Sequence, residues 1–421
     1  MKILHTADLH LGQIIYEYDR RDEHRHFFGQ LRQWCVEEKP DALLVCGDVF
    51  DIQQPSAAVK AMFNHFFVDL HRECPAMHIV IIAGNHDSAS RLSADSPLWS
   101  LASARIVGIP PSLDSLEQPD GWQADYVVKL EAGFIIALPY MSGERRVLIQ
   151  SILDYVEREN VNHLPVVMMA HQAVTGSDIT GHDPEIGTLK AQEINAFGKG
   201  YDYLALGHIH KPQTLGINID NYADDVTFHA PVARYSGSAL HVSCDETYPH
   251  TVSIVTIDRH GGDVNIRQRR IDEYRHFYIL PEDGSSFNDA EEAIKAMKVF
   301  VENGDRGYFR FRFDNATAVP SDFNQRVYDT LAIYREEWRY NPRHIWTGDE
   351  LSTAADEEKR TFEIAEIQQI TEPISFVGKI IDDYPTLDLD DVRNAFEEVS
   401  QEIIRINEQA GKKKATKTKK S

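Results

Sequence analysis

The chain has 421 residues, and its 43 lysines and arginines against 66 aspartates and glutamates give a formal net charge of −23. At roughly 150 residues per domain this length predicts two or three domains, and a hydrophobic fraction of 42% excludes a mainly disordered chain. The sequence contains no apolar run near the roughly 20 residues of a membrane span, and its charged N-terminus lacks the apolar core of a signal peptide. We therefore expect a cytoplasmic protein that does not enter a membrane.

The first 270 residues alternate short apolar runs with amphipathic stretches. Val/Ile/Leu-rich runs separated by helices are typical of an α/β domain whose sheet is covered on both faces. The predicted strands are 2–6, 42–46, 78–83, 134–138, 166–170 and 203–206, and the predicted helices include 22–38 and 56–73. Two later strands, 251–257 and 264–271, follow one another without a helix, so we expect a second sheet with an antiparallel edge. These elements define a first domain at 1–274.

From residue 275 the pattern changes. A strand at 276–280, a helix at 289–303, a strand at 308–313 and a helix at 321–335 predict a compact α+β domain over 275–346. The alternation of the second strand puts Arg310 and Arg312 on the face opposite its phenylalanines. That face is either a surface for a phosphate backbone or a solvated outer face.

The C-terminal region is predicted to hold an acidic linker at 347–361, a helical segment at 362–410 and a disordered basic tail at 411–421. A helix opened by Asp388 carries apolar residues in the seam spacing of a coiled coil, namely Leu389, Val392, Phe396, Val399, Ile403 and Ile406. Such a helix either folds back on its own protein or docks onto a partner. The position after a polar linker favours a partner.

Five predicted strands are followed at once by side chains of the kind that bind metal ions. In chain order these are Asp8 and His10; Asp48 and Asp51; Asn85, His86 and Asp87; His171; and His208 and His210. In open α/β sheets, ligands bind beyond the carboxyl ends of the strands. We therefore expect all five strands to deliver these groups to one edge of one sheet, with Gly47, Gly84 and Gly207 allowing sharp turns there.

The donor types indicate the metal. Hard oxygen donors mixed with imidazoles suit Mn²⁺, Fe²⁺ or Zn²⁺ better than Ca²⁺. Seven such donors exceed the need of one open ion, which predicts two ions bridged by a carboxylate; they are Asp8, His10, Asp48, Asn85, His171, His208 and His210. The remaining histidines, His182 included, have no motif around them and are interpreted as surface or packing residues. The four cysteines form no CxxC pair and are expected to be reduced thiols.

The five motifs resemble those of the calcineurin-like metallophosphoesterases. Within that superfamily, residues 3–12, 47–51 and 206–210 resemble the SbcD family, the nuclease subunits of bacterial SbcCD complexes and relatives of the archaeal and eukaryotic double-strand-break repair nuclease. The segment 235–238 also fits, whereas the similarity beyond residue 275 is one of architecture.

The resemblance implies a role for each of these residues. One Mn²⁺ would be held by Asp8, His10, Asp48 and His210, and a second by Asp48, Asn85, His171 and His208. His86 would be catalytic and face the scissile phosphate, while Asp51 and Asp87 would orient imidazoles from outside the ligand shell. Archaeal relatives carry histidine where this chain has Asp51, so no role in handling DNA is carried over to it.

The resemblance also implies a fold, an activity and partners. The fold is a two-sheet metallophosphoesterase sandwich flanked by helices, with a small α+β capping domain and a C-terminal helical partner-binding segment. The activity is a Mn²⁺-dependent 3′–5′ exonuclease on duplex ends and an endonuclease on single strands and hairpins, in DNA repair and recombination. The partners are DNA and an SbcC-type coiled-coil ATPase, with a homodimer inside a heterotetramer.

Two other functions are compatible with the motifs. One is a small-molecule phosphodiesterase of the same superfamily, for instance one acting on cyclic nucleotides; the extra domain and tail argue against it. The other is a non-catalytic scaffold subunit, which the complete set of ligands disfavours. The acidic net charge does not exclude DNA, because metal ions and a partner can supply the positive field and residues 412–421 contain six lysines.

Overall fold

A computed structural model describes residues 1–118, 121–143, 145–180, 191–216, 225–244, 246 and 248–347. Of these, residues up to 312 and 316–344 form one compact unit, and 313–315 with 345–347 belong to a second. The predicted linker beyond residue 347, the helical segment 362–410 and the basic tail 411–421 lie outside the described residues, as does His182. Within the described ranges, no helix combines the length and apolarity needed to cross a bilayer.

The described strands are β1 (Lys2–Thr6), β2 (Ile14–Ile15), β3 (Tyr18–Asp19), β4 (Ala42–Cys46), β5 (His78–Ile82), β6 (Ala104–Val107), β7 (Val127–Leu130), β8 (Gly133–Ala137), β9 (Val166–His171), β10 (Tyr203–Gly207), β11 (Gln213–Thr214), β12 (Asp225–His229), β13 (Val232–Tyr235), β14 (Thr251–Ile257), β15 (Asp263–Arg270), β16 (His276–Leu280), β17 (Gly307–Phe313), β18 (Trp338–Tyr340) and β19 (Ile345–Trp346). The described helices are α1 (Arg21–Glu38), α2 (Ala57–Glu73), α3 (Ala89–Ala94), α4 (Ser96–Trp99), α5 (Arg146–Glu159), α6 (Ala290–Asn303) and α7 (Phe323–Leu331).

Two large sheets organise residues 1–271. The first has the order β12-β15-β14-β1-β4-β5-β6, and the second has the order β11-β13-β10-β9-β8-β7. In the first sheet, β1, β4, β5 and β6 are parallel. In the second, β8, β9, β10 and β13 are parallel. The α/β class predicted from the sequence is confirmed.

The division of strands between the sheets differs from the prediction. The six early strands do not share one sheet, because β8, β9 and β10 form a sheet separate from β1, β4 and β5. The later pair, β14 and β15, extends the first sheet instead of starting a second, and β14 pairs antiparallel with β1. An apolar run shows that a strand is covered on both faces but not which strand lies beside it.

The two sheets pack face to face, and the alternation of side chains along each strand builds three layers of core. In β4, Ala42, Leu44 and Cys46 point between the sheets. Leu43 and Val45 point outward to apolar residues of α1 and α2. The outer face of the second sheet is covered by α5 in the same way. Each fully buried aliphatic side chain contributes roughly 1.5–3 kcal/mol, so this layering fixes the strand ends rigidly.

Residues 276–340 form a smaller α+β lobe. Its strands β16, β17 and β18 are parallel, and α6 and α7 are its helices. Helix α6 begins at Asp289, whose carboxylate accepts a hydrogen bond from the Glu292 amide at 2.8 Å. Helix α7 ends at Leu331, earlier than predicted, because the residues after it form turns leading into β18. Phe309 and Phe311 are buried as expected from the alternation.

Tyr308 is fully buried too, although the alternation places it on the face of the two arginines. Its hydroxyl donates a 2.7 Å hydrogen bond to the buried carboxylate of Glu23 on α1. The same carboxylate accepts from Arg20 at 2.7 Å and lies 3.4 Å from Arg275. Arg275 also donates to the Glu336 carbonyl at 2.7 Å. Glu23 therefore joins the smaller lobe to the two-sheet body.

We predict that Glu23→Gln lowers stability by about 3–5 kcal/mol, because it leaves two buried guanidinium groups without their counter-charge. The measurement is thermal unfolding by calorimetry, with hydrogen exchange of residues 276–344 as a local readout. The matched control is Asp22→Asn, since Asp22 precedes Glu23 in the same helix and its ion pair with Arg25 is exposed. Equal unfolding temperatures for the two variants would contradict the role of Glu23.

A second prediction concerns Glu38, whose side chain is 7% exposed where α1 ends. Burial acts to raise its pKa, but hydrogen bonds from Lys2 and Arg269 and the charge of Arg267 outweigh it and lower the pKa to about 2. A carboxyl whose pKa is depressed by folding stabilises the protein above its unfolded pKa, here 4.5. That contribution is lost as the pH falls from there toward 2.

We expect Glu38→Gln to lower the free energy of unfolding at pH 7 by about 2 kcal/mol, a figure discounted because the partner cations are partly exposed. Urea unfolding at pH 7 and at pH 3 should show the difference from the parent protein shrinking in acid. Asp69→Asn, which removes an exposed ion pair on α2, is the control and should change little at either pH. A pH-independent difference for Glu38→Gln would refute the linkage.

Candidate metal centre

The carboxyl ends of strands from both sheets meet at one end of the sandwich. β1, β4 and β5 come from the first sheet, and β9 and β10 come from the second. The prediction of one edge of one sheet is therefore wrong in its detail: the predicted groups meet at the junction of two sheets. The loops after β1 and β4 are tied together, since the Asp8 amide donates to the Gly47 carbonyl at 3.1 Å and the His10 amide to the Asp48 carbonyl at 3.0 Å.

The backbone at this junction has an unusual conformation. Asp8, His10 and Asp48 have φ values of 51°, 43° and 46°, in the left-handed region. For residues other than glycine this region costs roughly 1–2 kcal/mol each. The strain turns the chain sharply at the end of each strand. It is retained because the rigid sheets and the hydrogen bonds between loops over-determine these positions.

Glycines make the close approach of the loops possible. At Gly47, which has φ of 84°, an added Cβ would lie 2.1 Å from Nδ1 of His171. At Gly84 it would lie 2.0 Å from Oδ1 of Asp48, and at Gly207 it would lie 1.8 Å from the Cys46 carbonyl oxygen. No side chain fits at these distances, so all three glycines are required by packing against the site itself.

Two groups of ligand atoms lie next to each other at this end. Asp8, His10 and His210 form the first, and Asp48, His171 and His208 form the second; within each group the ligand atoms lie within 4.8 Å of one another. All six side chains are buried. Asp48 lies between the groups, because its Oδ2 is 3.3 Å from Nε2 of His171 and 3.9 Å from Nε2 of His10.

Asn85 completes the second group. Its amide oxygen lies 3.0 Å from Nε2 of His171 and 2.9 Å from Nδ1 of His208. Asp8 is held in place from the other side, since both of its carboxylate oxygens accept from the His208 amide at 3.0 and 3.1 Å. The structure thus brings all seven predicted ligands together at one site.

Three of the histidines are oriented by an acceptor on their outer nitrogen. Nδ1 of His10 lies 3.2 Å from the Asp51 carboxylate, and Nδ1 of His210 lies 2.9 Å from the Glu246 carboxylate. Nδ1 of His171 donates to the Cys46 carbonyl at 2.8 Å. Each of these acceptors receives a hydrogen bond from the Nδ1–H of its ring, which leaves the lone pair of Nε2 pointing into the site.

This donor set fits divalent cations. Nε2 of His10 is buried and has no hydrogen-bond partner among the described residues. Nε2 of His171 faces only oxygen acceptors, those of Asn85 and Asp48. Burial lowers the pKa of His171, but the Asp48 and Asp8 carboxylates outweigh it and raise the pKa to about 9. The two carboxylates thus stabilise a positive charge at this position, and nitrogen and oxygen donors point toward it. Such a site suits metals that bind imidazole and carboxylate, such as Mn²⁺ or Zn²⁺.

His86, Asp51 and Asp87 surround the ligand groups. The His86 ring lies edge-on to His10 with centroids 5.0 Å apart, and its Nδ1 lies 3.0 Å from the Asp51 carbonyl oxygen. The His86 amide donates to Oδ1 of Asp48 at 2.9 Å. The expectation that Asp87 orients an imidazole is wrong: among the described residues its carboxylate accepts from the amides of Val49, Phe50 and Gly84, at 3.1, 2.9 and 2.9 Å, and from no histidine ring. Asp51 therefore orients His10, whereas Asp87 fastens two loops.

Sequence reasoning missed two residues of the site. Glu246, which orients His210, lies in the loop between β13 and β14, where no motif indicates it. Tyr140 lies at the opening with its ring centroid 6.5 Å from that of His208. Its position after β8, at the same end of the second sheet, is the signal that would have indicated it.

We predict that Gly84→Ala abolishes high-affinity metal binding, because its Cβ would overlap the Asp48 carboxylate. Isothermal titration with Mn²⁺ measures the loss, which we expect to exceed roughly 100-fold, while circular dichroism checks the fold. Gly29→Ala is the control, since a Cβ there meets nothing within 4 Å on helix α1 and should leave binding unchanged. Normal Mn²⁺ affinity in Gly84→Ala would contradict the close packing described above.

The amino-acid sequence is similar to those of known proteins and matches one family model. The sequence is similar to the SbcD component of the SbcCD nuclease of Escherichia coli K12, with 29% identity over 276 residues, 60% of this chain and 65% of the relative. The same component in Rhodobacter capsulatus is 30% identical, and the match covers 62% of this chain and 67% of the relative. The component in Bacillus subtilis is also 30% identical, and the match covers 61% of this chain and 66% of the relative. The match thus spans just under two thirds of the Escherichia coli protein. The family model for calcineurin-like phosphoesterases matches residues 1–212, half of the chain, which therefore belongs to that family.

Proposed function

We propose that the protein is a Mn²⁺-dependent DNA nuclease, the catalytic subunit of an SbcCD-type complex that acts in DNA repair and recombination. The observation that carries the proposal is the pair of adjacent ligand groups with the Asp48 carboxylate between them and His86 beside them. The relatives, each named as a component of the SbcCD nuclease, support DNA as the substrate. The finer activities proposed are 3′–5′ exonuclease on duplex ends and endonuclease on single strands and hairpins.

The seven ligands divide naturally into two sets that share one carboxylate. Asp8, His10, Asp48 and His210 would hold one ion, and Asp48, Asn85, His171 and His208 would hold the other. When bound, two such ions supply an activated water nucleophile and neutralise charge on the phosphate oxygens. Asp48 suits the shared position because its carboxylate has two oxygens and already lies between both groups of imidazoles.

His86 is the residue placed to move a proton. The Asp51 carbonyl accepts from its Nδ1 at 3.0 Å, which fixes the ring and leaves Nε2 for the substrate. In the protonated ring, Nε2–H can donate to a phosphate oxygen or protonate the leaving oxygen of a phosphodiester. The ring is only half-buried, unlike the aspartate and histidine ligands, so a substrate can reach it.

Asp51 couples the ligand His10 to the catalytic His86. Its carboxylate orients the first ring and its carbonyl orients the second. A displacement of this single loop residue would therefore change both metal binding and proton transfer. Because the chain is acidic, binding of DNA is expected to need the bound cations and an SbcC-type coiled-coil ATPase. We propose that the ATPase docks on the segment 362–410 and that two copies of this chain pair in the assembly.

We predict that the protein with Mn²⁺ cleaves end-labelled duplex and hairpin DNA, and that His86→Ala lowers kcat by about 10²–10⁴-fold while Mn²⁺ stays bound. Nuclease assays with and without the cognate ATPase measure cleavage and kcat, and titration of Mn²⁺ measures whether the variant still binds the metal. His229→Ala is the matched control, since His229 is an exposed histidine on β12.

Two outcomes would overturn the proposal. One is unchanged cleavage by His86→Ala or Asp48→Ala, which would exclude the site as the centre of hydrolysis. The other is hydrolysis of a cyclic nucleotide by the parent protein with no cleavage of DNA under any condition, which would make it a small-molecule phosphodiesterase.

A further inference from the structure

A second cluster of histidines lies behind the metal centre. His241, Glu246 and His250 are all buried, and one ligand atom from each lies within 4.8 Å of the others. All three lie in the chain between β13 and β14. The motifs of the metal centre do not include any of them, and only Glu246 is already known to contact that centre, as the hydrogen-bond acceptor of His210.

The hydrogen bonds around the cluster determine which nitrogen of each ring carries the proton. Nδ1 of His250 lies 3.0 Å from the Ser238 carbonyl oxygen, which can only accept. Nε2 of His241 lies 2.9 Å from the Glu273 carboxylate. Both outer nitrogens therefore carry the proton, and Nε2 of His250 and Nδ1 of His241 present lone pairs.

Those two nitrogens are buried without hydrogen-bond partners among the described residues. Nε2 of His250 lies 3.4 Å from Oε2 of Glu246, longer than the roughly 2.7–2.9 Å expected if a proton were shared between an imidazolium and a carboxylate. Two ligands of a tetrahedral zinc ion, each about 2.0–2.1 Å from the metal, lie roughly 3.3 Å apart. The observed separation is that of two ligands on one ion.

The cluster is also accessible. His241 and Glu246 line a cavity of about 260 Å³ that extends toward Phe277, Tyr308 and Asn341 of the smaller lobe. An ion with three protein ligands needs a fourth ligand, and a water molecule from this cavity can supply it. Two imidazoles and one carboxylate are a donor set typical of Zn²⁺ and disfavour Ca²⁺ and Mg²⁺.

We propose that His241, Glu246 and His250 form a third divalent-cation site of the zinc-binding type. Glu246 connects it to the metal centre, since its Oε1 lies 2.9 Å from Nδ1 of His210 while its Oε2 faces His250. An ion there fixes the carboxylate that orients His210, so Glu246 acts as a positioning residue for the centre. The proposal concerns metal binding alone and does not rest on the proposed nuclease activity.

The test counts zinc. The full chain is stripped with a chelator, equilibrated with Zn²⁺ and freed of excess metal, and zinc per chain is measured by mass spectrometry. We expect the parent protein and the control His229→Gln to hold one zinc ion more per chain than the double variant His241→Gln/His250→Gln. Equal zinc counts in the parent protein and the double variant would overturn the third site, whatever the number of ions at the metal centre.

A measurement on the unmodified protein covers the case in which the double variant does not fold. Crystals of the full chain grown with Zn²⁺ are measured at the zinc absorption edge. An anomalous peak within about 2.0–2.2 Å of Nε2 of His250 and a carboxylate oxygen of Glu246 supports the proposal. Peaks at the ligand groups around Asp48 with none at His250 would refute it and leave the metal centre intact.

Discussion

Negative charge buried at the junction of two sheets is the constraint on which this site depends. Asp8 and Asp48 are almost fully buried, and neither contacts a lysine or arginine side chain in the described structure. Burying carboxylates costs several kcal/mol each unless positive charge compensates them. Imidazoles and metal ions are the available sources of that charge, so the histidines surround the carboxylates rather than lying elsewhere on the surface. The need for compensation explains why so many histidines converge here.

Hydrogen-bond acceptors that surround the ligand groups set the orientation of these histidines. Asp51, Glu246 and the Cys46 carbonyl each hold the outer nitrogen of one ring and so direct its other nitrogen inward. The acceptors come from different elements: two loops and the last residue of β4. The fold therefore controls the chemistry of the site by selecting the tautomer of each ring. The apolar layers between and outside the sheets keep those acceptors in place.

The motifs made it predictable that these seven side chains would meet at one site, because each motif follows directly on an apolar strand. The strand bounds near 2–6, 42–46 and 203–206 agree with the structure for the same reason. The resemblance implied two sheets, but which strands share a sheet could not be predicted, since β14 is as apolar as β1 and neither apolar run encodes its neighbour. The burial of Tyr308 could not be predicted, because it depends on a contact with Glu23 on α1, which lies 285 residues away in the chain.

Glu246 and the Cys46 carbonyl were unpredictable for a different reason. A backbone carbonyl exists at every residue, so its use as an acceptor leaves no mark in the sequence. Glu246 is one of 66 acidic residues, and only the return of its loop to His210 distinguishes it. Asp87, in contrast, lies in a recognisable motif but bonds amides instead of an imidazole. The motifs thus indicated which residues lie at the site, but the role of each residue depends on the groups that it contacts in the fold.

The left-handed turns at Asp8, His10 and Asp48 have a consequence for engineering. The ligand positions follow from backbone turns and from glycines that leave no room for a Cβ. Grafting the seven side chains onto an unrelated scaffold would therefore not recreate the centre, because ordinary loops would direct the same residues elsewhere. A transplant would have to carry the ends of five strands together with their turns. Conversely, directed evolution of this scaffold toward new substrates can vary the positions around the half-buried Tyr140 and His86, where the backbone has no such strain.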